Sequence, residues 1–142
     1  MTFKAISWML VGIMLVGSPA LSVAQDTKPG APAQGTTVKH ITSATADKLL
    51  QEKKDVVVLD VRTPREFTDG HIKGAKNIDF NDRHFADHLG KLDKGTTYLV
   101  HCASGGRSGR SLEVFKKLGF KAIYHMDDGF NGWKSAGKPV EK

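Results

Sequence analysis

The residues with the clearest chemical potential are a cysteine and the short polar turn that follows it. Cys102 is the only cysteine in the 142-residue chain, and it opens the sequence CASGGRS, residues 102–108. An apolar run, Tyr98 to Val100, leads into this turn, and a helical pattern starts near Ser108. A strand, a glycine-containing turn and a helix N-terminus point successive backbone N–H groups into one concavity, which favours an anion. A thiolate at Cys102 would be stabilised there and would act as a nucleophile.

A second group of polar residues is expected at the same edge of the sheet. The β-branched run from Val56 to Leu59 is typical of a strand covered on both faces, and Asp60 and Arg62 follow its carboxyl end. In parallel sheets ligands bind beyond the carboxyl ends of strands, so this turn should lie near Cys102. We expect Asp60 and Arg62 to support the site through an ion pair or hydrogen bonds rather than to do chemistry.

The helix after that turn has a strong start signal. Thr63 can serve as N-cap, Pro64 as the first helical residue and Glu66 as the closing member of a capping box, while Gly70 can end the helix. Glu66 is also a candidate partner for Arg107. The sequence leaves two possibilities open for Arg107: it faces a substrate anion, or it pairs with Glu66.

Strands and helices alternate along the rest of the chain. Ser43 is the expected N-cap of a helix with Ala46, Leu49 and Leu50 on one face, and Phe130 and Trp133 should face inward from a later helix. Such alternation implies βαβ crossovers and an α/β fold with a mainly parallel sheet. The other expected strands are residues 38–41, 75–78, 96–101 and 122–124, and the other expected helices are residues 82–89, 108–118 and 129–136.

The N-terminus has the features of an export signal. Lys4 precedes a short apolar core at residues 8–16, and Ser22 and Ala24 are small residues at the positions that a signal peptidase reads. We expect cleavage after Ala24, with an uncleaved anchor as the alternative. Residues 1–24 are then a signal peptide, residues 25–37 a flexible linker and residues 38–142 the folded domain. This predicts a periplasmic or secreted protein with no stable membrane insertion after cleavage.

Composition narrows the range of partners. The formal net charge is +6, but the lysines are scattered and lack interleaved aromatic residues, which argues against nucleic-acid binding. A single cysteine excludes an internal disulfide, and its glycine-rich turn favours a reactive thiol over an inert one. His71 is expected to be a turn residue. His84 and His88 are four residues apart without a third ligand, so we expect no metal and no cofactor.

Four ordered sequence blocks resemble the single-domain rhodanese (thiosulfate sulfurtransferase-like) family, of an exported type. The resemblance covers about residues 38–141. It implies a rhodanese-like α/β fold with a central, mainly parallel five-stranded sheet and helices on both faces. The blocks are DVRTPREF at residues 60–67, GHIKGAKNI at residues 70–78, CASGGRS at residues 102–108, and GFNGW at residues 129–133 with GKPV at residues 137–140.

The resemblance also implies a sulfurtransferase mechanism. Cys102 would be the catalytic residue and would carry a persulfide, moving sulfur from a small donor such as thiosulfate to an external thiol or cyanide. Because the chain has no second cysteine to resolve the persulfide, the sulfur must pass to another molecule. We expect a monomer that works without a cofactor. The substrate-binding residues would be Ala103, Ser104, Gly105, Gly106, Arg107 and Ser108, supported by Asp60, Arg62 and Glu66.

Two other functions compete with this interpretation. Cysteine phosphatases and arsenate reductases also place a cysteine before an arginine, but with five intervening residues. Here four residues separate Cys102 from Arg107, which tightens the cradle to suit a sulfur atom better than a tetrahedral phosphate. The other alternative is a rhodanese-like module that carries sulfur to, or binds, one partner without turnover.

One position departs from the family pattern. The block before Trp133 often has two glycines, whereas this chain has Asp128 followed by Gly129. If position 128 required a left-handed backbone, aspartate would tolerate it at a small cost in stability.

Overall fold

The structure, a computed structural model, describes residues 35–142. The predicted signal peptide and the predicted linker up to residue 34 lie outside the described residues. The first strand begins at Thr37, one residue before the predicted start of the folded domain. Within residues 35–142, no helix is both long and apolar enough to cross a membrane.

The elements alternate in the order that the sequence predicts. Continuous apolar runs form the central strands, and the segments with helical periodicity form helices between them along the chain. In chain order the elements are β1 (Thr37–Ile41), α1 (Ser43–Glu52), β2 (Val57–Asp60), α2 (Pro64–Thr68), β3 (His71–Ile72), β4 (Lys76–Asn77), α3 (Phe85–Gly90), β5 (Thr97–His101), α4 (Gly106–Lys117), β6 (Ala122–Met126), α5 (Gly129–Ser135) and β7 (Val140–Glu141).

The central sheet has five parallel strands in the order β1-β6-β5-β2-β4. This confirms the predicted α/β fold class. In the register of β2 and β5, Asp60 lies opposite His101, so the turns that follow these two strands open at the same edge of the sheet. A small antiparallel pair, β3 with β7, closes the chain end and was not predicted from the sequence.

Each face of the sheet is covered by helices and has its own apolar core. On one face, Leu59 and Val100 pack with Phe115 of α4 and Leu89 of α3. On the other face, Val58 and Leu99 pack with residues of α1 and α5, including Ala46, Leu49, Phe130 and Trp133. The alternation of strand side chains between two cores explains why β2 and β5 are apolar without interruption. It also confirms the inward orientation predicted for Phe130 and Trp133.

Two helix starts differ from the sequence prediction. Helix α4 begins at Gly106, two residues before Ser108, because the glycine pair supplies both the turn and the first helical residue. Helix α3 begins at Phe85 rather than Asp82, since the carboxylate of Asp82 accepts the His84 N–H in a turn that precedes the helix.

The N-cap predicted at Ser43 is wrong. Thr42 occupies the N-cap position of α1 without a side-chain hydrogen bond, and Ser43 lies inside the helix. The capping acceptor is Asp128, whose carboxylate accepts the Ser43 N–H at 2.9 and 3.1 Å and the Ser43 hydroxyl at 2.7 Å. Asp128 has an ordinary right-handed backbone, with φ −85°, and the left-handed residue is Gly129. The stability cost expected at position 128 therefore has no backbone basis.

Candidate active site

Cys102 follows β5 directly, and its side chain is buried, with 1% of the residue exposed. The loop turns sharply at Gly105, which has φ +87° and immediately precedes α4. A Cβ atom at Gly105 would overlap the carbonyl oxygen of Asp127, which follows β6. Glycine is therefore needed both for the left-handed backbone and for the close approach of the loop to the end of β6.

The start of α5 holds the carbonyl groups of the cysteine loop. The Phe130 N–H donates to Cys102 O at 2.8 Å, and the Asn131 N–H donates to Ala103 O at 2.9 Å. Gly129 lies so close to this segment that a Cβ atom there would be 2.6 Å from Ala103 O. Because these oxygens are turned toward α5, the loop presents N–H groups rather than carbonyls to the sulfur.

The sulfur of Cys102 lies in a cradle of hydrogen-bond donors. Burial by itself raises the pKa of the Cys102 thiol. Hydrogen bonds from the Ser108 hydroxyl and from the backbone N–H groups of Ser108, Ser104 and Arg107 outweigh burial, so the pKa lies below its usual value. The positive end of α4 acts in the same direction. The site can therefore stabilise an anionic sulfur, either a thiolate or a persulfide.

Ser108 connects the sulfur to a buried histidine that the sequence did not single out as a site residue. Its hydroxyl oxygen is 3.4 Å from Cys102 Sγ, 3.1 Å from Gly105 O and 2.8 Å from His125 Nε2. A hydroxyl has one proton to donate. When Ser108 donates toward the sulfur, His125 must therefore supply the proton in its own hydrogen bond with Ser108.

Arg107 pairs with Glu66, one of the two possibilities left open by the sequence. Arg107 Nη1 and Nη2 donate to the two carboxylate oxygens at 2.8 and 2.7 Å. Glu66 also accepts the Thr63 N–H and completes the predicted capping box. The bond from Arg107 is the largest cause that lowers the pKa of Glu66, to about 2. Pairing with Glu66 and the nearby Cys102 charge both raise the pKa of Arg107, so its positive charge is fixed beside the sulfur.

Asp60 and Arg62 form a buried, bidentate ion pair next to this loop. Arg62 Nε donates to the carboxylate of Asp60 at 2.9 and 3.0 Å, and Nη2 donates to it at 2.6 Å. The same Nη2 donates to Gly70 O at 2.8 Å, and the guanidinium lies 4.0 Å from the centre of the Phe130 ring. The pair therefore joins the ends of β2 and α2 to α5, which is the supporting role expected from the sequence.

His101 precedes the cysteine but is poorly placed to act as a base. Its ring is fully buried, and burial is the largest cause that lowers its pKa. Nδ1 donates to Cys102 O at 3.1 Å, while Nε2 has no hydrogen-bond partner among the described residues. A neutral ring that holds the loop backbone fits this geometry, and His71 likewise contacts a backbone oxygen, that of Phe67, at 3.0 Å.

A shallow cavity of about 230 Å³ lies in front of the cysteine loop. Its wall reaches Ala103, one residue from the buried sulfur, and carries charges of both signs. Asn131 and Lys134 contribute to it, and neither was predicted as a site residue from the sequence. The lining residues are Arg62, Glu66, Asp69, Gly70, Ala103, Phe130, Asn131 and Lys134.

The sequence of this chain is similar to those of known proteins. Residues 42–136 match the family described as Rhodanese-like domain. A thiosulfate sulfurtransferase GlpE of Shewanella oneidensis is 31% identical over 103 residues, which cover 71% of this chain and 97% of that protein. An uncharacterized protein of Synechocystis is 33% identical over 93 residues, or 66% of this chain; the match spans only about half, 51%, of that relative.

Solved structures show the same architecture. The rhodanese-related protein of Thermoplasma volcanium superimposes with a TM-score of 0.64 at 29% identity, covering 72% of this chain and 97% of that one. A Rhodopseudomonas palustris protein described as of unknown function, possible tyrosine phosphatase, gives a TM-score of 0.61 at 30% identity, covering 73% of this chain and 85% of that one.

Proposed function

This chain belongs to the Rhodanese-like domain family, and from that premise we propose that it is a sulfurtransferase whose Cys102 carries sulfur as a persulfide. The observation that carries the proposal is the cradle around Cys102 Sγ, in which the Ser108 hydroxyl and three backbone N–H groups lower the pKa of the thiol despite its burial. Such a cradle suits a sulfur anion in both halves of a transfer cycle.

In the first step, the Cys102 thiolate attacks the outer sulfur of a small anionic donor such as thiosulfate. A Cys102 S–S bond forms, the S–S bond of the donor breaks, and its electron pair leaves with sulfite. No proton is transferred, so no general base is required, in keeping with the position of His101. The positive charge of the exposed Lys134 at the cavity favours the approach of an anion, whereas the charge of Arg62 is neutralised by its buried pair with Asp60.

In the second step, an external thiolate or cyanide attacks the outer sulfur of the persulfide. The bond between the two sulfurs breaks and its electron pair regenerates the Cys102 thiolate, as in other covalent two-step transfers. The outer sulfur stands about 2 Å beyond Sγ, the length of an S–S bond. Since Cys102 itself is only 1% exposed, the added sulfur extends the reactive group beyond the buried Sγ.

Phosphate chemistry is the competing proposal, and the loop geometry weighs against it. A phosphatase of this type needs an arginine in the loop to bind the phosphoryl oxygens. Here Arg107 is held by Glu66 in a bidentate pair at 2.7 and 2.8 Å. The loop also has one residue fewer between Cys102 and Arg107 than the phosphatase pattern, which favours a smaller anion. The possible phosphatase among the solved relatives makes a direct assay of both activities worthwhile.

The proposal is tested by steady-state kinetics with thiosulfate and cyanide. We expect thiocyanate formation with parallel double-reciprocal plots, the signature of a ping-pong mechanism, and no activity in the Cys102→Ser variant. The same preparations are assayed with a small aryl phosphate. Hydrolysis of the phosphate without thiocyanate formation would overturn the proposal, and so would turnover by Cys102→Ser. Stoichiometric sulfur loading without turnover would instead identify the protein as a carrier for a dedicated partner.

A further inference from the structure

Three side chains converge on one point beside the cysteine loop. Parallel pairing of β1 with β6 places His40 opposite His125, and Asp127 follows at the end of β6. Asp127 Oδ1 lies 2.8 Å from His40 Nδ1 and 2.7 Å from His125 Nδ1, and the two nitrogens are 3.2 Å apart. One carboxylate oxygen and two imidazole nitrogens therefore form a compact triangle.

The dimensions of this triangle suit a metal ion. Around a first-row ion with bonds of about 2.1 Å, ligand atoms are separated by roughly 3.0 Å in octahedral and roughly 3.4 Å in tetrahedral geometry. The observed separations of 2.7 to 3.2 Å need only a slight expansion. The His125 side chain is 5% exposed, whereas those of His40 and Asp127 are 57% and 51% exposed. One ligand is thus fixed by packing, while the other two leave a path from solvent.

The hydrogen bonds of Ser108 are compatible with a cation at this triangle. When the Ser108 hydroxyl donates to Cys102 Sγ or Gly105 O, its oxygen must accept from His125 Nε2–H at 2.8 Å. A neutral His125 with its proton on Nε2 has a lone pair on Nδ1. That lone pair faces Asp127 Oδ1 at 2.7 Å, and a positive centre between the two acceptors, either a second proton on His125 or a bound metal ion, would remove their repulsion.

We propose that His40, His125 and Asp127 bind a divalent first-row transition metal ion, with water completing its coordination. Two imidazoles and one carboxylate are a ligand set that such ions accept, Zn²⁺ among them. The ion binds Nδ1 of both histidines and fixes the Nε2–H form of His125. The Ser108 hydroxyl is then oriented toward the sulfur. This site does not depend on the sulfurtransferase proposal, and it differs from the expectation of no metal, which rested on the spacing of His84 and His88 in the sequence.

The direct test is titration of untagged protein with Co²⁺ in a Cys102→Ser background, which removes the thiolate as a ligand. We expect one equivalent of Co²⁺ to produce visible absorption bands that added Zn²⁺ abolishes. His40→Ala and Asp127→Asn should each weaken binding by more than roughly 10-fold, a loss at least as large as that from removing an outer partner of a metal ligand. Nitrogen NMR of the Zn²⁺-loaded protein should show His125 protonated on Nε2.

The matched control is the double variant His84→Ala/His88→Ala, which removes the other neighbouring histidine pair, at the exposed N-cap and in the body of α3. It should bind Co²⁺ as the parent does. His40 and Asp127 are half exposed, so their variants should remain folded, and circular dichroism checks this. Absence of a saturable site in folded parent protein would overturn the proposal. The proposal would also be overturned if the His84→Ala/His88→Ala variant lost Co²⁺ binding while folded His40→Ala kept it.

Discussion

Replacing Gly105 by alanine tests how the cysteine loop is held against the end of β6. Gly105 has φ +87°, a backbone that costs a non-glycine residue about 1–3 kcal/mol. Its new Cβ would also lie well inside the 3.0 Å limit of real Cβ contacts with Asp127 O, which is backbone and has little freedom to yield. Loop and strand must separate, and a shift of about 1 Å at a reacting centre can cost on the order of 100-fold in rate.

Two other glycines provide the controls. Gly74 has φ +72° with open space around its Cβ position, so Gly74→Ala measures backbone strain alone, about 1–2 kcal/mol. Gly106 has an ordinary φ, open space and a place in the first turn of α4, so Gly106→Ala should leave the free energy of unfolding unchanged or raise it by up to about 1 kcal/mol.

The assays are urea unfolding and the second-order rate of Cys102 alkylation by iodoacetamide, followed by thiosulfate–cyanide turnover. We expect Gly105→Ala to lose more stability than Gly74→Ala and to react on the order of 100-fold more slowly than the parent. Gly74→Ala should alkylate at the parental rate. If Gly105→Ala matched Gly74→Ala in stability and the parent in both rates, the close packing of the loop on β6 would be irrelevant to the sulfur.

Three further substitutions examine the hydrogen bonds around the site. Ser108→Ala should raise the pH midpoint of Cys102 alkylation by about one unit, because a hydrogen bond to a charged group contributes roughly 1.5 kcal/mol. The control is Ser111→Ala, which removes a buried hydroxyl one turn later that donates to Ser108 O, and it should leave the midpoint unchanged. Equal shifts in the two variants would refute the assignment. Asp128→Ala should lower the free energy of unfolding by about 0.5–2 kcal/mol through loss of the α1 cap, and Asp128→Asn should be closer to wild type. If both variants were as stable as wild type, the capping role of Asp128 would be contradicted. Glu66→Gln should cost about 1 kcal/mol at pH 7 after solvent screening. The folded pKa of Glu66 is depressed from 4.5 to about 2, so the contribution of its charge to stability is complete above pH 4.5. The difference between wild type and variant in the free energy of unfolding should therefore shrink as the pH falls from 4.5 toward 2. A difference that did not change with pH would refute the ionic origin.

Local sequence signals predicted the scaffold of the site well. The uninterrupted apolar runs of β2 and β5 placed the turns after Asp60 and His101 at one edge of the sheet, as the register confirms. The capping box from Thr63 to Glu66 was predicted from three residues and is present. These features succeed because each is encoded by neighbours in the chain, whose spacing directly reflects the period of a strand or the end of a helix.

Contacts between distant residues could not be predicted in the same way. Asp128 caps a helix 85 residues earlier in the chain, and the single sequence gave no reason to pair it with Ser43. His40 meets His125 only because β1 pairs with β6, a strand order that the alternation of elements does not specify. The partner of Arg107 was an open choice for the same reason, until packing brought Glu66 to within 2.7 Å of it.

The central claim, that Cys102 carries transferable sulfur, is tested most directly by intact-mass analysis of the folded protein after treatment with thiosulfate. We predict that the mass increases by one sulfur atom, that cyanide returns it to the original value with release of thiocyanate, and that Cys102→Ser shows no change. An unmodified Cys102 under conditions in which iodoacetamide alkylates it fully, or the same added mass on Cys102→Ser, would contradict the account.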